Sequence, residues 1–384
     1  MNPAIVIMAY NRPHALRRLL ATVETAVYPP NTPLILSIDA GGDTAVRQIA
    51  QTFNWIHGPK ELIIHPQRLG LVRHFYACGD LTRQFGAIIL LEDDLIVAPH
   101  FYTYAVNALS TYANDPQIAG ISLNALWFNG FRRLPFTPWP VEGDVFFLQV
   151  PWYQGQAYTA DQWQRFTNWR ETADTHIYPH DPIHEMYTQF ATDEWFPLKA
   201  KYLAENNLFY VFPRYSLTTN FGDQGTHFQQ VTNFFQVPLQ IHPRNWHFTP
   251  RSETTAVYDS FFEQLPDRFN RLTPILAEYD YTVDLYATKT PTKITTPYVL
   301  TTRPCRQAEH QFGMTMRPLA ANVIWQVPGT GISLTRREEL QYGRKAEWTI
   351  EARLAAYFGR HCQMGWRRAW RLRIWQWWLR GRYG

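Results

Sequence analysis

Three short runs in the first hundred residues are apolar at almost every position: Ala4-Ile-Val-Ile-Met-Ala-Tyr10, Leu34-Ile-Leu-Ser-Ile-Asp39 and Ile88-Ile-Leu-Leu91. None alternates with polar residues, and none is long enough to cross a bilayer, so each reads as a strand covered on both faces. Between the first two lies Pro13 to about Val27, where Leu16, Leu19, Leu20 and Val23 recur at helical spacing. A second helix is expected from Pro99 to about Tyr112, then a strand over Ile118–Leu123. Strands alternating with helices from the first residues predict an α/β layer structure with a mostly parallel sheet flanked by helices.

Composition narrows the classes. The chain has 384 residues, 18% of them charged and 46% hydrophobic, which is globular and not disordered. Three cysteines, Cys78, Cys305 and Cys362, are too few and too scattered for a disulfide framework or a thiolate metal site. The formal net charge is +4, but residues 360–384 contain seven Arg and no Asp or Glu, so the remainder is slightly acidic. That argues against a nucleic-acid partner. The same 25 residues hold five of the 15 Trp, with Trp366, Trp370, Ile374 and Trp377 at helical spacing. This predicts a basic, Trp-rich amphipathic helix lying on an anionic membrane surface, or packed on a partner. The start of the chain has no basic n-region and cleavage pattern, so the expected place is cytoplasmic, peripheral on the inner face of the membrane.

The chemistry is expected where the third run ends, at Glu92-Asp93-Asp94. Three adjacent carboxylates at the carboxyl end of a buried strand repel one another. Ligands of open α/β sheets bind outside those ends. A hard divalent cation, Mn²⁺ or Mg²⁺, would relieve the repulsion and bridge to a diphosphate; the plainer reading is a solvated loop.

Taken together, Ala4-Ile-Val-Ile-Met-Ala-Tyr-Asn-Arg-Pro13, Ser37-Ile-Asp39 and Glu92-Asp-Asp94-Leu-Ile-Val-Ala-Pro99 resemble the nucleotide half of a GT-A glycosyltransferase. The resemblance is to the N-acetylglucosaminyltransferase I type and to bacterial family 2 glycosyltransferases. It implies a Rossmann-like GT-A domain over 1–260, with a nucleotide and metal half at 1–125 and an acceptor half at 126–260. The resemblance does not reach beyond 260: residues 261–335, with the Thr/Pro-rich string Thr290-Pro-Thr-Lys-Ile-Thr-Thr-Pro297, read as linker or extended elements, and 336–384, mostly helix-compatible, as a helical C-terminal appendage. The resemblance also implies roles. Asn11 and Arg12 lie along the nucleotide, Asp39 reads uracil, and Arg73 belongs to a family Arg-His pair with His74. Asp94 is the metal ligand, Asp93 faces the ribose or metal waters, and Glu92 faces the donor sugar.

Inverting transfer also needs one carboxylate to take the acceptor hydroxyl proton. Phe190-Ala-Thr-Asp193-Glu194-Trp195 resembles the family segment that carries it, with Asp193 at the base position and Glu194 as the rival. Here Thr192 replaces the family's Trp and Glu194 its second Asp. A helix start capped by Thr192 is the competing reading. Pro213 to His227 is similar to a family loop that closes over the donor, with Gly222 and Gly225 permitting a hinge and His227 a possible phosphate or metal contact. Trp152 or Tyr153 would stack on the donor sugar, unless Trp152 is core. The expected activity is metal-dependent transfer from a nucleotide sugar, UDP-linked, to a glycan or lipid-linked acceptor in surface polysaccharide assembly. The alternatives are a sugar-phosphate nucleotidyltransferase and a non-catalytic carbohydrate-binding protein.

Overall fold

The computed structural model describes residues 1–223 and 233–342, together with Leu354 and Tyr357. The first half is built from β1 (Ala4–Ala9), α1 (Pro13–Glu24), β2 (Leu34–Ile38), α2 (Thr44–Thr52), β3 (Lys60–Ile64), α3 (Gly70–Asp80), α4 (Thr82–Phe85), β4 (Ala87–Glu92), β5 (Leu95–Val97), α5 (Phe101–Tyr112) and β6 (Ile118–Ser122). A small hairpin, β7 (Phe128–Asn129) and β8 (Leu134–Pro135), leads into β9 (Val145–Leu148), β10 (Gln156–Thr159), α6 (Ala160–Thr172), α7 (Trp195–Glu205), β11 (Phe209–Pro213), β12 (Thr218–Asn220) and β13 (Val257–Tyr258).

Nine of these strands form one sheet in the order β13-β9-β11-β6-β10-β4-β1-β2-β3. β3, β2, β1 and β4 are parallel neighbours, whereas β10 is antiparallel to both β4 and β6. The expected mostly parallel α/β sheet is therefore present, with reversed strands in its second half.

The unbroken apolar runs follow from burial on both faces. Ile5, Ile7, Ile89 and Leu91 point into the core shared with Leu16, Leu19 and Val23 of α1 and with Phe101 and Ala105 of α5. The alternate residues Val6, Met8, Ile88 and Leu90 point to the other side, against Phe75 of α3 and Trp163 and Phe166 of α6. Strand period two delivers both sets from one stretch of sequence. α6 starts with a capping box, in which the Thr159 hydroxyl accepts from the Gln162 N–H at 3.2 Å and the Gln162 side chain accepts from the Thr159 N–H at 3.1 Å.

Residues 261–335, read from sequence as linker or extended elements, contain a second sheet. α8 (Pro266–Asn270) precedes β14 (Tyr281–Asp284), β15 (Tyr298–Thr301), β16 (His310–Phe312), α9 (Ala320–Ile324) and β17 (Ile332–Arg336), and the strands pair in the order β14-β15-β17-β16. Its inward residues Val283, Leu300, Phe312, Ile332 and Leu334 join the same core as Val6 and Phe75. A linker would not bury such a face. The Thr/Pro content marks the connection 289–297 rather than the whole segment. Arg336 ends β17 and Arg337–Glu339 make one 3₁₀ turn. The helix expected at 360–384 lies outside the described residues. Among the described residues no helix is long and apolar enough to cross a membrane.

Candidate active site

The parallel pairing of β1 with β4 sets Met8 opposite Glu92, so the loops leaving both strands emerge side by side. Arg12 lies four residues beyond Met8, and Asp93 and Asp94 directly follow Glu92. The Arg12 guanidinium forks between them, with Nη2 2.5 Å from Asp93 Oδ1 and Nη1 2.9 Å from Asp94 Oδ2. Burial works against its charge, but the carboxylates more than offset this and hold it firmly protonated.

One guanidinium does not balance three carboxylates. Burial, and then the charge of Asp94, push the Glu92 carboxyl well above the usual carboxylate range despite Arg12. Burial lifts Asp93 to about 6, again against Arg12. The cluster is thus an all-oxygen site short of positive charge. Asp94 is the more open member, its side chain 28% exposed against 5% for Asp93. Among the described residues no group of three or more His, Cys, Asp and Glu side chains is gathered to hold a metal. The donor set instead suits a hard cation that takes one carboxylate and completes its shell with water and phosphate oxygens.

Asp39 ends up as a clasp. Its two oxygens accept the N–H groups of Ala40 at 2.8 Å, Leu69 at 2.7 Å and Gly70 at 2.9 Å, tying the end of β2 to the first turn of α3. Burial alone would raise its pKa; those three N–H donors, with His74, bring it below the ordinary value. Gly70 has φ +75, a left-handed backbone that suits glycine. Arg73 Nε donates to Leu69 O at 3.0 Å, closing the same turn from its exposed side. His74 is buried and shares a 2.8 Å hydrogen bond with Ser37 Oγ, which also meets His65 at 3.1 Å; burial lowers His74 to about 4, so it is neutral. Asp39→Ala should therefore lower stability by about 2 kcal/mol, because two helix-start N–H groups lose their acceptor. Urea unfolding measures this, and an unchanged midpoint would show that the clasp adds nothing.

Chain from the second half comes to the same strand end. β12 pairs antiparallel with β5, with Asn220 opposite Leu95, so the segment after β12 starts beside Asp94. Gly222 has φ +65 and donates its N–H to Asn220 Oδ1 at 3.1 Å. Arg18 of α1 is ion-paired with Asp223, and its guanidinium lies 3.9 Å from the centre of the Phe221 ring. Sequence reasoning passed over Arg18, because only the fold brings α1 to this loop. Gly225 and His227 lie outside the described residues.

α7 brings the remaining carboxylates. It begins at Trp195 with Glu194 in the N-cap position, two residues later than a Thr192 cap would place it. Trp195 stacks on Phe75 of α3 at 4.0 Å and 14°, which fixes the helix start. Burial is the main cause that raises both Glu92 and the Tyr76 hydroxyl; the charge of Glu194 adds to each, and that of Asp193 adds at Tyr76 of α3. Asp193 is exposed, as is Asn11. Trp152 is 4% exposed and its indole N–H donates to Asn124 Oδ1 at 3.0 Å, a core placement. Its neighbour Tyr153 feels the acids: burial first, then Glu92 and Asp94, raise its hydroxyl.

The chain is 25% identical over 254 residues to an alpha-1,3-mannosyl-glycoprotein 2-beta-N-acetylglucosaminyltransferase of Arabidopsis thaliana. It resembles the N-acetylglucosaminyltransferase I type. The match takes in 62% of this chain and 51% of the relative, so the chain spans about half the length of that protein. No family model matches. Among solved structures, a mannosyltransferase from Pyrobaculum calidifontis in complex with GDP-Man and Mn²⁺ is 14% identical, with TM-score 0.35 over 55% of this chain and 54% of that one. S. aureus TarS is 11% identical, with TM-score 0.36 over 56% of this chain and 36% of that one.

Proposed function

We propose that the chain is an inverting glycosyltransferase that moves a sugar from a nucleotide sugar, UDP-linked, to a hydroxyl of a glycan or lipid-linked acceptor. The observation that carries the reading is the convergence at the end of β4. Arg12 from the loop after β1, the acid triplet and the β12 segment come together there, and the charge of Glu194 at the start of α7 acts on Glu92. The resemblance to an N-acetylglucosaminyltransferase supports the reaction class.

In this reading Asp193, with Glu194 as the rival, takes the proton of the acceptor hydroxyl. That oxygen bonds to the anomeric carbon as the carbon–diphosphate bond breaks, and the bonding pair leaves with the diphosphate. A diphosphate placed beside a cluster already rich in carboxylate needs added positive charge. Arg12 supplies part of it. Asp94 would hold Mn²⁺ or Mg²⁺, whose charge would steady the leaving diphosphate. The segment from Asn220 to Asp223, anchored by Arg18, is the near end of a loop that would cover the donor and exclude water. With Trp152 in the core, Tyr153 would stack on the donor sugar.

Calorimetry of UDP with Mn²⁺ tests the donor site. Loss of an outer-shell partner of a metal typically costs about 10–100-fold, so Asp94→Ala should weaken Mn²⁺-dependent UDP affinity at least that much. Unchanged affinity would remove Asp94 from the metal site.

The lipid-linked acceptor, polysaccharide assembly and the inner membrane face rest on the composition of residues 360–384. Deleting them should release the protein from anionic vesicles in a pelleting assay while leaving UDP binding intact. Persistent pelleting would end the membrane reading.

A further inference from the structure

The connection between β16 and β17 holds two large apolar side chains in water. Trp325 is 67% exposed and Met316 39%. Asn322 of α9 ties them together. It is buried, its side-chain oxygen accepts the Met316 N–H at 2.8 Å, and its side-chain nitrogen donates to Met316 O at 3.0 Å. Trp325 follows three residues later, one turn along the same helix face. Nor is Trp325 on a loose end. It is the C-cap of α9, and the chain leaves in a Schellman arrangement, with the Val327 N–H donating to Asn322 O at 2.8 Å and the Gln326 N–H to Val323 O at 3.0 Å. Gln326 takes φ +47, at the position glycine usually fills. Val327 O then accepts the Gly313 N–H at 2.6 Å, and the Gly331 N–H donates to Phe312 O at 2.8 Å, which pins the loop to β16. Ordered backbone that holds a Trp in water suits a contact made outside the chain.

Charge selects the occupant. From His310 to Arg337 there are three Arg and no Asp or Glu. The acid just before, Glu309, meets Arg336 at 3.5 Å, at the other end of β17. Among the described residues no carboxylate acts on Arg317, the neighbour of Met316: burial lowers its pKa, and Tyr357 and Tyr286 oppose this. Tyr357 is buried, with its ring centre 4.3 Å from the Arg317 guanidinium. Chain connectivity then keeps Arg360, three residues on, within about 11 Å of Tyr357. Arg360 opens the stretch to 384 that holds seven Arg, five Trp and no acid. A Trp and a Met flanked by Arg match the two layers of an anionic bilayer, headgroups for the cations and the acyl boundary for the apolar groups. A second copy of this chain would instead set Arg against Arg.

We infer that Trp325 and Met316 form a second membrane contact, through which the folded body enters the headgroup boundary of an anionic bilayer. The choice of lipid rests in part on the membrane reading of residues 360–384; the exposed pair does not. The two contacts differ in kind. The Arg-rich stretch would bind largely through charge, which salt screens, and the pair through buried apolar area, which salt does not screen. Two weak contacts together anchor a protein that either alone holds only marginally.

Pelleting of the full chain with vesicles of phosphatidylcholine and phosphatidylglycerol, at low and high NaCl, tests this. Trp325→Ser should lower the partition about tenfold, the worth of burying one large apolar side chain. That ratio should hold at both salt levels, and Met316→Ser should lower the partition by less. Trp325→Phe keeps a ring and should retain most of the binding, which separates a lost contact from a damaged fold. Ile56→Ser removes a side chain that is 70% exposed between α2 and β3, and should change nothing. Unchanged pelleting of Trp325→Ser, an equal loss in Ile56→Ser, or a dimer that Trp325→Ser breaks would overturn the proposal. Pelleting that persists without residues 360–384 yet falls with Trp325→Ser would uphold the pair and end the reading of that stretch. Pelleting lost with the stretch and unaltered by Trp325→Ser would do the reverse, and a native chain that never pellets would sink both.

Discussion

Asp193→Asn should lose about 10²–10⁴-fold in transfer rate, the usual worth of a positioned general base, while binding UDP and Mn²⁺ as the native protein does. Asparagine keeps the shape of the side chain and cannot take the proton. Donor binding should survive because Asp193 is exposed just before α7 and takes no part in the Arg12–Asp93–Asp94 fork. Glu194→Gln is the necessary companion. Glu194 occupies the N-cap of α7, and its charge reaches Glu92, so its neutralisation should perturb the donor side as well as the acceptor side. The two therefore separate by pattern. If Asp193 is the base, Asp193→Asn lowers kcat with UDP affinity intact, and Glu194→Gln shifts UDP affinity with a smaller loss of rate. Near-normal turnover of Asp193→Asn with a collapse in Glu194→Gln would move the base to Glu194.

Lys199→Met should raise the free energy of unfolding by about 1–4 kcal/mol, the range seen when buried charged groups give way to apolar ones. Lys199 is fully buried, and its Nζ has no hydrogen-bond partner. Aromatic rings surround it, with Tyr158 at 3.8 Å, Phe166 at 4.6 Å and Trp163 at 4.9 Å from the Nζ. Ring faces attract an ammonium, but they do not replace its water, and burial holds its pKa well below the ordinary 10.5. The sign of the pH dependence follows from that depression. Between the folded pKa and 10.5 the unfolded chain binds a proton that the folded chain does not, so folding gains stability as pH rises through that window. The penalty is complete below the folded pKa and gone above about 10.5. Denaturation of both proteins from pH 7 to 9.5 should show the native curve climbing towards that of Lys199→Met. A variant less stable than the native protein would mean that the aromatic cage favours the ammonium by more than its dehydration costs.

The first-half strands and helices are legible in the sequence because each position carries its own evidence. A run such as Ile88–Leu91 is apolar throughout only when both faces are covered, and α1 shows its buried stripe at Leu16, Leu19, Leu20 and Val23. The acid triplet is legible for the same reason, since its position at a strand end follows from the run before it. The second sheet was not. β14 to β17 are three to five residues each, too short for a period to show, and their burial depends on a core supplied by other segments.

Among the site residues, sequence supplied the identities and resemblance their roles, but partners came from the fold. Arg12 lies 82 positions from Asp94, Arg18 is 205 from Asp223, and no local pattern ties either pair. Asp39 carries the same lesson in reverse. The resemblance gives it a ligand role, while the fold adds a structural one that no local pattern shows: its oxygens accept the backbone N–H groups of Leu69 and Gly70.

By itself, then, the sequence determined that this chain forms a helix-covered sheet with a dense acidic site at the end of a buried strand, because hydrophobic period and charge repulsion act over a few residues. Tertiary structure alone decided which cation faces those acids, that the charge of Glu194 at the start of α7 acts on Glu92, and that a threonine-rich connection walls a cavity at the far end of the sheet. Those facts depend on strand order and register, which bring together residues tens to hundreds of positions apart and leave no mark on either neighbourhood alone.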